Sequence, residues 1–255
     1  MAPPENAHQL YADLSQYYDR FCRDINYAQQ CAYAQRVLAA FGRSSGNAYF
    51  DLACGTGQHL RHLIDAGFEV GGLDNSQAML EQAAQRCPEA HLVLADMADM
   101  AAHNRYDLIS CFLYSLHYNH PLQRLEQVLQ RAWCALKPGG ILVFDMVDKN
   151  GIENHRGLTT YLQEDNQTFE FASRWHYAGV GDLLQLHLRI HRHAQGVSNL
   201  WQDCHTMTAV SVTEVQTFLQ ALGFEVWIME HNYERFEAWD GASFNVVVVA
   251  AKPEN

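Results

Sequence analysis

Lysine is nearly missing from this 255-residue chain, and 17 basic residues in all stand against 29 acidic ones, for a formal charge of −12. A surface that tracks nucleic-acid phosphates needs the opposite balance, so a nucleic-acid partner is disfavoured while a cationic ligand is tolerated. Long hydrophobic runs are also lacking. The longest, Val246 to Ala251, is far too short to cross a bilayer. The opening Met1-Ala-Pro-Pro-Glu-Asn has neither the basic flank nor the apolar stretch of a secretion signal, so a soluble, cytoplasmic protein is expected. The cysteines number seven, an odd count, with no C-x-x-C pair. That pattern fits neither a disulfide framework nor a zinc site, and the thiols are expected to be reduced. Repeats and low-complexity segments are absent, and with 48% hydrophobic residues the chain can bury one substantial core.

Hydrophobic spacing supplies the organisation. Residues 7–21 and 27–41 have helical periodicity, the second stopping at Gly42, and together they read as N-terminal cap helices over 1–42. Strand and helix then alternate: Tyr49–Leu52, a helix over 57–66, Phe68–Leu73, a helix begun by Ser76, His91–Leu94, Tyr106–Phe112, a helix over 122–136, and Ile141–Val147. This rhythm predicts a parallel sheet covered on both faces. It breaks at Lys149. From about Phe169 to Val210 the period is two, with Leu184, Leu186, Leu188 and Ile190 alternating with Gln185, His187, Arg189 and His191 and turns at 179–182 and 195–199. An inserted antiparallel lid over roughly 150–210 is expected, within one domain. The α/β pattern resumes at Thr213–Leu222, followed by strands at 224–229 and 244–250.

The turn Asp51-Leu-Ala-Cys-Gly55-Thr-Gly57 leaves a strand and enters a helix, where an open α/β sheet binds ligands. Leu60 stands where the dinucleotide fingerprint needs its third glycine, and Asp51 puts a carboxylate where a pyrophosphate would sit. A nicotinamide-linked oxidoreductase is thereby disfavoured. Asp74 ends the next strand, about 20 residues on, where an acid accepts ribose hydroxyls. Asp96, ending the third strand, can accept from an exocyclic adenine amine. Three carboxylates at successive strand ends suit a ligand with an ammonium, a ribose and an adenine but no phosphate, which describes S-adenosyl-L-methionine.

With Gly72-Leu-Asp74-Asn-Ser76-Gln-Ala-Met79, Ala95-Asp96-Met97, Tyr106-Asp107-Leu-Ile-Ser and Leu136-Lys-Pro-Gly-Gly-Ile-Leu-Val, the chain resembles the class I S-adenosylmethionine-dependent methyltransferases over 45–148 and 212–251. The resemblance implies a Rossmann-like, seven-stranded sheet with the last strand antiparallel. It carries cofactor roles onto Asp51, Ala53, Gly55, Asp74, Asn75, Met79 and Asp96, with Met97 near the adenine and Phe112 near the methionine moiety. The tyrosine-rich start is similar to the small-molecule branch, including amino-sugar N-methyltransferases, and singles out Tyr18 and Tyr27 over the cofactor, where ring faces can stabilise a sulfonium.

The loop Phe112-Leu-Tyr114-Ser-Leu-His117-Tyr118 is expected to face a small-molecule acceptor, with His117 as general base and Tyr118 as a contact. Similar enzymes roof the acceptor or pair subunits with the inserted sheet, which adds Arg174, Trp175 and His205 and allows a monomer or homodimer. The histidine row His187, His191 and His193 includes Arg189 and no acid or thiol, so no metal is expected. A non-catalytic cofactor-binding protein of this fold and an RNA methyltransferase stand as alternatives to a small-molecule methyltransferase.

Overall fold

The computed structural model describes residues 20–164 and 166–254. The predicted helix over 7–21, including Tyr18, lies outside them except for Arg20 and Phe21, which are helical.

Helix α1 (Tyr27–Phe41) starts where the Asn26 side chain accepts from Gln29 N and stops at Gly42. Then come β1 (Ala48–Leu52), α2 (Gln58–Asp65), β2 (Glu69–Asp74) and α3 (Gln77–Arg86), which Ser76 caps through Met79 N. Strands β3 (His91–Leu94) and β4 (Tyr106–Cys111), helix α4 (Leu122–Ala135) and strand β5 (Leu136–Val147) complete this run. Four strands follow: β6 (Leu158–Glu164), β7 (Gln167–Tyr177), β8 (Leu183–Ala194) and β9 (Val197–Thr208). Helix α5 (Val212–Leu222) opens with a Ser211/Glu214 capping box and ends at left-handed Gly223, and β10 (Glu225–Glu230) and β11 (Asn245–Ala251) close the chain.

The main sheet runs β10-β11-β5-β4-β1-β2-β3, and β11 is antiparallel to both neighbours while the other pairs are parallel. Side chains of α4 and α5 pack on one face and those of α1, α2 and α3 on the other. That double cover explains why Val246–Ala251 is buried throughout and reads as a continuous apolar run. The expected α/β, Rossmann-like class with its antiparallel last strand is the observed one.

Beyond shifts of a residue or two, one boundary and one strand count differ from the sequence reading. Strand β5 begins at Leu136 rather than Ile141, because Leu136 already pairs with Tyr106 and the register then slips to Leu108/Ile141. Lys137 Nζ reaches Asp107 Oδ2 at 2.7 Å there, and the same carboxylate accepts from Gly46 N and Ala48 N, tying the start of β1 to β4. The four-stranded sheet β6-β7-β8-β9 also has one strand more than its alternation announced. Strand β6 is an edge with mostly exposed residues, so burial leaves no clear period-two signature on it.

The predicted alternation on β8 holds. Leu184, Leu186, Leu188 and Ile190 share an inner face with Phe169, Phe171 and Trp175 of β7 and with Trp201, Asp203, His205 and Met207 of β9. The β8–β9 hairpin turns through Gln195 (φ 50°) and Gly196 (φ 79°), both left-handed, which matches the twist of the flanking strands. No helix among the described residues is long and apolar enough to cross a membrane.

Candidate active site

At the carboxyl ends of β1 and β4 the chain leaves its strands through left-handed residues. Ala53 (φ 60°), Gly55 (φ 53°) and Gly57 (φ 82°) are all left-handed, so the segment after β1 coils with its amides turned toward the strand ends. Glycine adopts this backbone freely, and Ala53 does so at a cost. Asp51 is buried at 1% exposure; its Oδ1 accepts from Ser110 Oγ at 2.8 Å, and among the described residues no donor reaches its Oδ2 within hydrogen-bond distance. His59 Nδ1 lies 3.6 Å from that oxygen. A buried carboxylate oxygen without a donor is costly unless a ligand supplies one.

Asp74 holds the neighbouring position. Its Oδ2 accepts from Gly55 N at 2.9 Å and its Oδ1 from Ser76 N at 2.8 Å, so one carboxylate fixes both the glycine turn and the entry to α3. Burial raises its pKa, and these backbone amides pull it part of the way back. Each oxygen keeps a further lone pair. Asp96 Oδ1 accepts from Ala98 N, and its Oδ2 pairs with Arg124 at 2.9 Å. Tyr27 and Phe112 flank the turn, both against the His59 ring at 4.9 and 5.2 Å between centroids. Tyr27, Asp51, Ala53, Gly55, His59, Phe112 and Leu113 line one cleft. Asn75 is exposed beside Asp74, whereas Met79 and Met97 are buried, the latter among core residues with its sulfur 3.6 Å from Asn119 Nδ2.

Leu113 also lines a second, larger cavity of about 580 Å³ under the four-stranded sheet. Its walls are mainly aromatic and aliphatic: Tyr114, Tyr118, Trp175, Phe171, Leu186 and Met207. Arg156, Arg174, Glu153 and Asp24 supply charge at its edge. Tyr114 and Trp175 meet edge to face at 5.7 Å. Tyr118 hydroxyl is hydrogen-bonded to His205 Nδ1, and His205 Nε2 lies 3.0 Å from Asp203 Oδ2. Of the acceptor residues expected from sequence, Tyr118 and Trp175 line this cavity, and His205 is buried behind Tyr118 rather than on the wall. Arg174 belongs by register to the outer face, opposite His187, and reaches only the cavity edge.

His117 does not occupy the position expected of a base. It is 1% exposed; Nδ1 bonds Thr208 O at 2.7 Å and Nε2 accepts from Val147 N at 3.0 Å. Burial lowers its pKa, keeping it neutral, and both ring nitrogens are committed to backbone. The imidazole ties the loop after β4 to β5 and β9 and has no free lone pair for an acceptor proton.

Sequence reasoning missed Asp145. It is buried at the end of β5, where its Oδ1 accepts from Tyr114 N and its Oδ2 accepts from Leu113 N at 3.0 Å and from Tyr233 hydroxyl at 2.7 Å. Leu113 and Tyr114 have φ of 60° and 59°, a consecutive left-handed pair of side-chain-bearing residues of the sort that persists only when its surroundings hold it. His231 Nε2 completes the group 3.2 Å from Tyr233 hydroxyl. The available signal was an aspartate inside the otherwise apolar run Ile141–Val147.

On the outer face of the four-stranded sheet, Arg189 pairs with Glu170 and His191 bonds Ser198 Oγ and His193. Among the described residues no group of histidine, cysteine and acid side chains has the geometry to hold a metal ion.

Residues 50–140 match the methyltransferase domain family. A putative methyltransferase of Geobacillus sp. strain WCH70 is 29% identical over 141 residues, 53% of this chain and 57% of that protein, so the shared stretch spans little more than half of it. The dTDP-3-amino-3,6-dideoxy-alpha-D-glucopyranose N,N-dimethyltransferase of Streptomyces fradiae is 26% identical over 181 residues, 70% of each chain. Among solved structures, the sugar N-methyltransferase KedS8 from a Streptoalloteichus species superposes with a TM-score of 0.80 at 19% identity, covering 100% of this chain and 97% of that one. That likeness is one of fold.

Proposed function

We propose that the chain is an S-adenosylmethionine-dependent methyltransferase whose acceptor is a small, sugar-type molecule carrying an amino group, and that the methyl goes to nitrogen. The observation that carries this reading is the meeting of two sites at Leu113: the cleft around Asp51 and Gly55, whose turn Asp74 holds, and the roofed cavity of about 580 Å³. That volume lies in the usual range for a small-molecule site. The amino-sugar specificity in the name of the S. fradiae relative supports the acceptor class.

The cleft fits the donor on its own chemistry. The donor-free Asp51 Oδ2 suits an ammonium, Asp74 has lone pairs left for two ribose hydroxyls, and Asp96 can accept from an adenine amine beside Arg124. Ala53 and Gly55 supply close backbone approach, Tyr27 and Phe112 the aromatic flank, Asn75 the exposed rim, and Met79 and Met97 the packing beneath. When bound, the sulfonium supplies an already activated methyl group. The chain's task is then to hold the acceptor in line and keep water out, for which Trp175, Tyr118 and the sheet β6–β9 serve as wall and lid. A position in the cytoplasm and action as a monomer or homodimer complete the proposal.

Incubation with isotopically labelled donor and a panel of amino, hydroxyl and carboxyl sugars tests it. Label on the nitrogen of amino sugars alone is the expected result, and label confined to oxygen would overturn it.

A further inference from the structure

We infer that His59 is the second half of the seat for the donor's ammonium: its Nδ1 lone pair and Asp51 Oδ2 accept together from one primary amine, and Gln30 holds the imidazole in the tautomer that leaves Nδ1 bare. The inference rests on the donor reading above. The two accepting atoms lie 3.6 Å apart, a gap that one small cation hydrogen-bonded to both can span. The His59 side chain is 8% exposed and that of Asp51 1%, and both residues line the cleft. The imidazole plane is fixed from two sides, by the Tyr27 ring edge to face at 4.9 Å and by the tilted Phe112 ring at 5.2 Å.

A run of buried hydrogen bonds sets where the His59 proton sits. It starts at Asp145, whose Oδ2 accepts from Tyr233 hydroxyl at 2.7 Å, closer than the 3.2 Å that separates this hydroxyl from His231 Nε2. With its proton given to the carboxylate, the Tyr233 oxygen is left to accept. Burial and Asp145 push the Tyr233 phenol pKa up, and a hydrogen bond from the Gln30 side chain draws it back, so the amide turns its N–H toward that oxygen. Gln30 then presents Oε1 on its other side, 2.8 Å from His59 Nε2. An amide oxygen only accepts, so Nε2 carries the imidazole proton and Nδ1 is a lone pair. That lone pair faces Asp51 Oδ2, which no donor reaches among the described residues. Two buried acceptors turned toward each other are unfavourable until a group with hydrogens for both comes between them. A primary ammonium has them, and its charge matches the carboxylate; a hydroxyl has one hydrogen and no charge.

The test is a calorimetric binding cycle with two probes, S-adenosylhomocysteine and its analogue in which hydrogen replaces the α-amino group. Loss of the amino group should weaken binding to the parent about 10²-fold. His59→Leu should weaken S-adenosylhomocysteine about tenfold and the deaminated analogue less than about twofold, because only the amine loses a partner. His59→Asn, whose amide oxygen can stand in for Nδ1, should recover most of that affinity. Gln30→Leu leaves the ring in place but frees its proton for either nitrogen, and should weaken only the amine-bearing probe, by roughly threefold or more. Equal losses for the two probes in His59→Leu, which a merely structural role would give, would overturn the inference.

A second readout needs no variant. Nitrogen NMR of the parent bound to S-adenosylhomocysteine should find His59 protonated on Nε2 and bare on Nδ1, with the Nδ1 resonance different in the complex with the deaminated analogue. A proton on Nδ1 in the first complex contradicts the seat. The two levels separate cleanly: failure of the parent to bind S-adenosylhomocysteine removes the donor reading and the inference with it, whereas binding without coupling between the amine and His59 removes the inference alone.

Discussion

Ala53 sits where its own side chain opposes the backbone, at φ 60° between a buried strand and the glycine turn. A left-handed alanine costs roughly 1–2 kcal/mol, and replacing it by glycine gives back about half of that to the entropy of the unfolded state. Ala53→Gly is therefore expected to raise stability by about 0.5 kcal/mol in denaturant titration with donor affinity unchanged. His117 makes a second case at this scale. Burial depresses its pKa, so the unfolded chain binds a proton that the folded one refuses; stability contributed by the neutral imidazole is present above about pH 6.5 and is lost as pH falls below it. His117→Gln should cost about 1–3 kcal/mol at pH 7.5 and flatten the acid-side fall in Tm. Asp51 and Asp74 were legible from sequence because their place at strand ends follows from strand length and glycine spacing. His117 was not, because its partner Thr208 lies 91 residues away on a strand whose docking no local pattern states.

Elements explain how strained residues stay in place. The left-handed pair Leu113–Tyr114 leaves β4 and is held by a carboxylate at the end of β5, the adjacent strand, so sheet pairing itself sets the loop between the cleft and the cavity. Burial and the Asp145 charge push the Tyr114 phenol pKa up, which keeps that ring neutral beside Trp175. Asp145→Asn replaces one of the acceptor oxygens serving Leu113 N, Tyr114 N and Tyr233 hydroxyl. It is expected to cost about 1–3 kcal/mol of stability. A displacement of the turn by about an ångström would lower kcat roughly 10²-fold while leaving donor Kd near the parent value, as steady-state kinetics and calorimetry can check. The alternation of β7–β9 was readable in the sequence because one face is buried against the cavity. The edge strand β6 was not, since both of its faces are largely exposed and nothing forces a pattern on it.

At the scale of the molecule, one sheet supplies the cleft around Asp51, where the donor is proposed to bind, and the other roofs the cavity beside it, with Leu113 common to both. Replacing residues 158–206 with a short linker, which keeps Thr208 beside His117, should leave donor-induced stabilisation intact and abolish acceptor turnover; parallel loss of both would place the sheet in the donor site. Donor affinity should weaken as pH falls through the raised pKa of Asp74, because its protonated form loses an acceptor for the ribose hydroxyls. The most direct measurement of the account is a crystal structure with S-adenosylhomocysteine and an amino-sugar acceptor. The account predicts the ammonium on Asp51, the ribose on Asp74, and the sulfur on the Leu113 side, facing an acceptor nitrogen within reach of Tyr118 hydroxyl. A product sulfur turned away from the cavity, or an acceptor seated outside the four-stranded sheet, would contradict it.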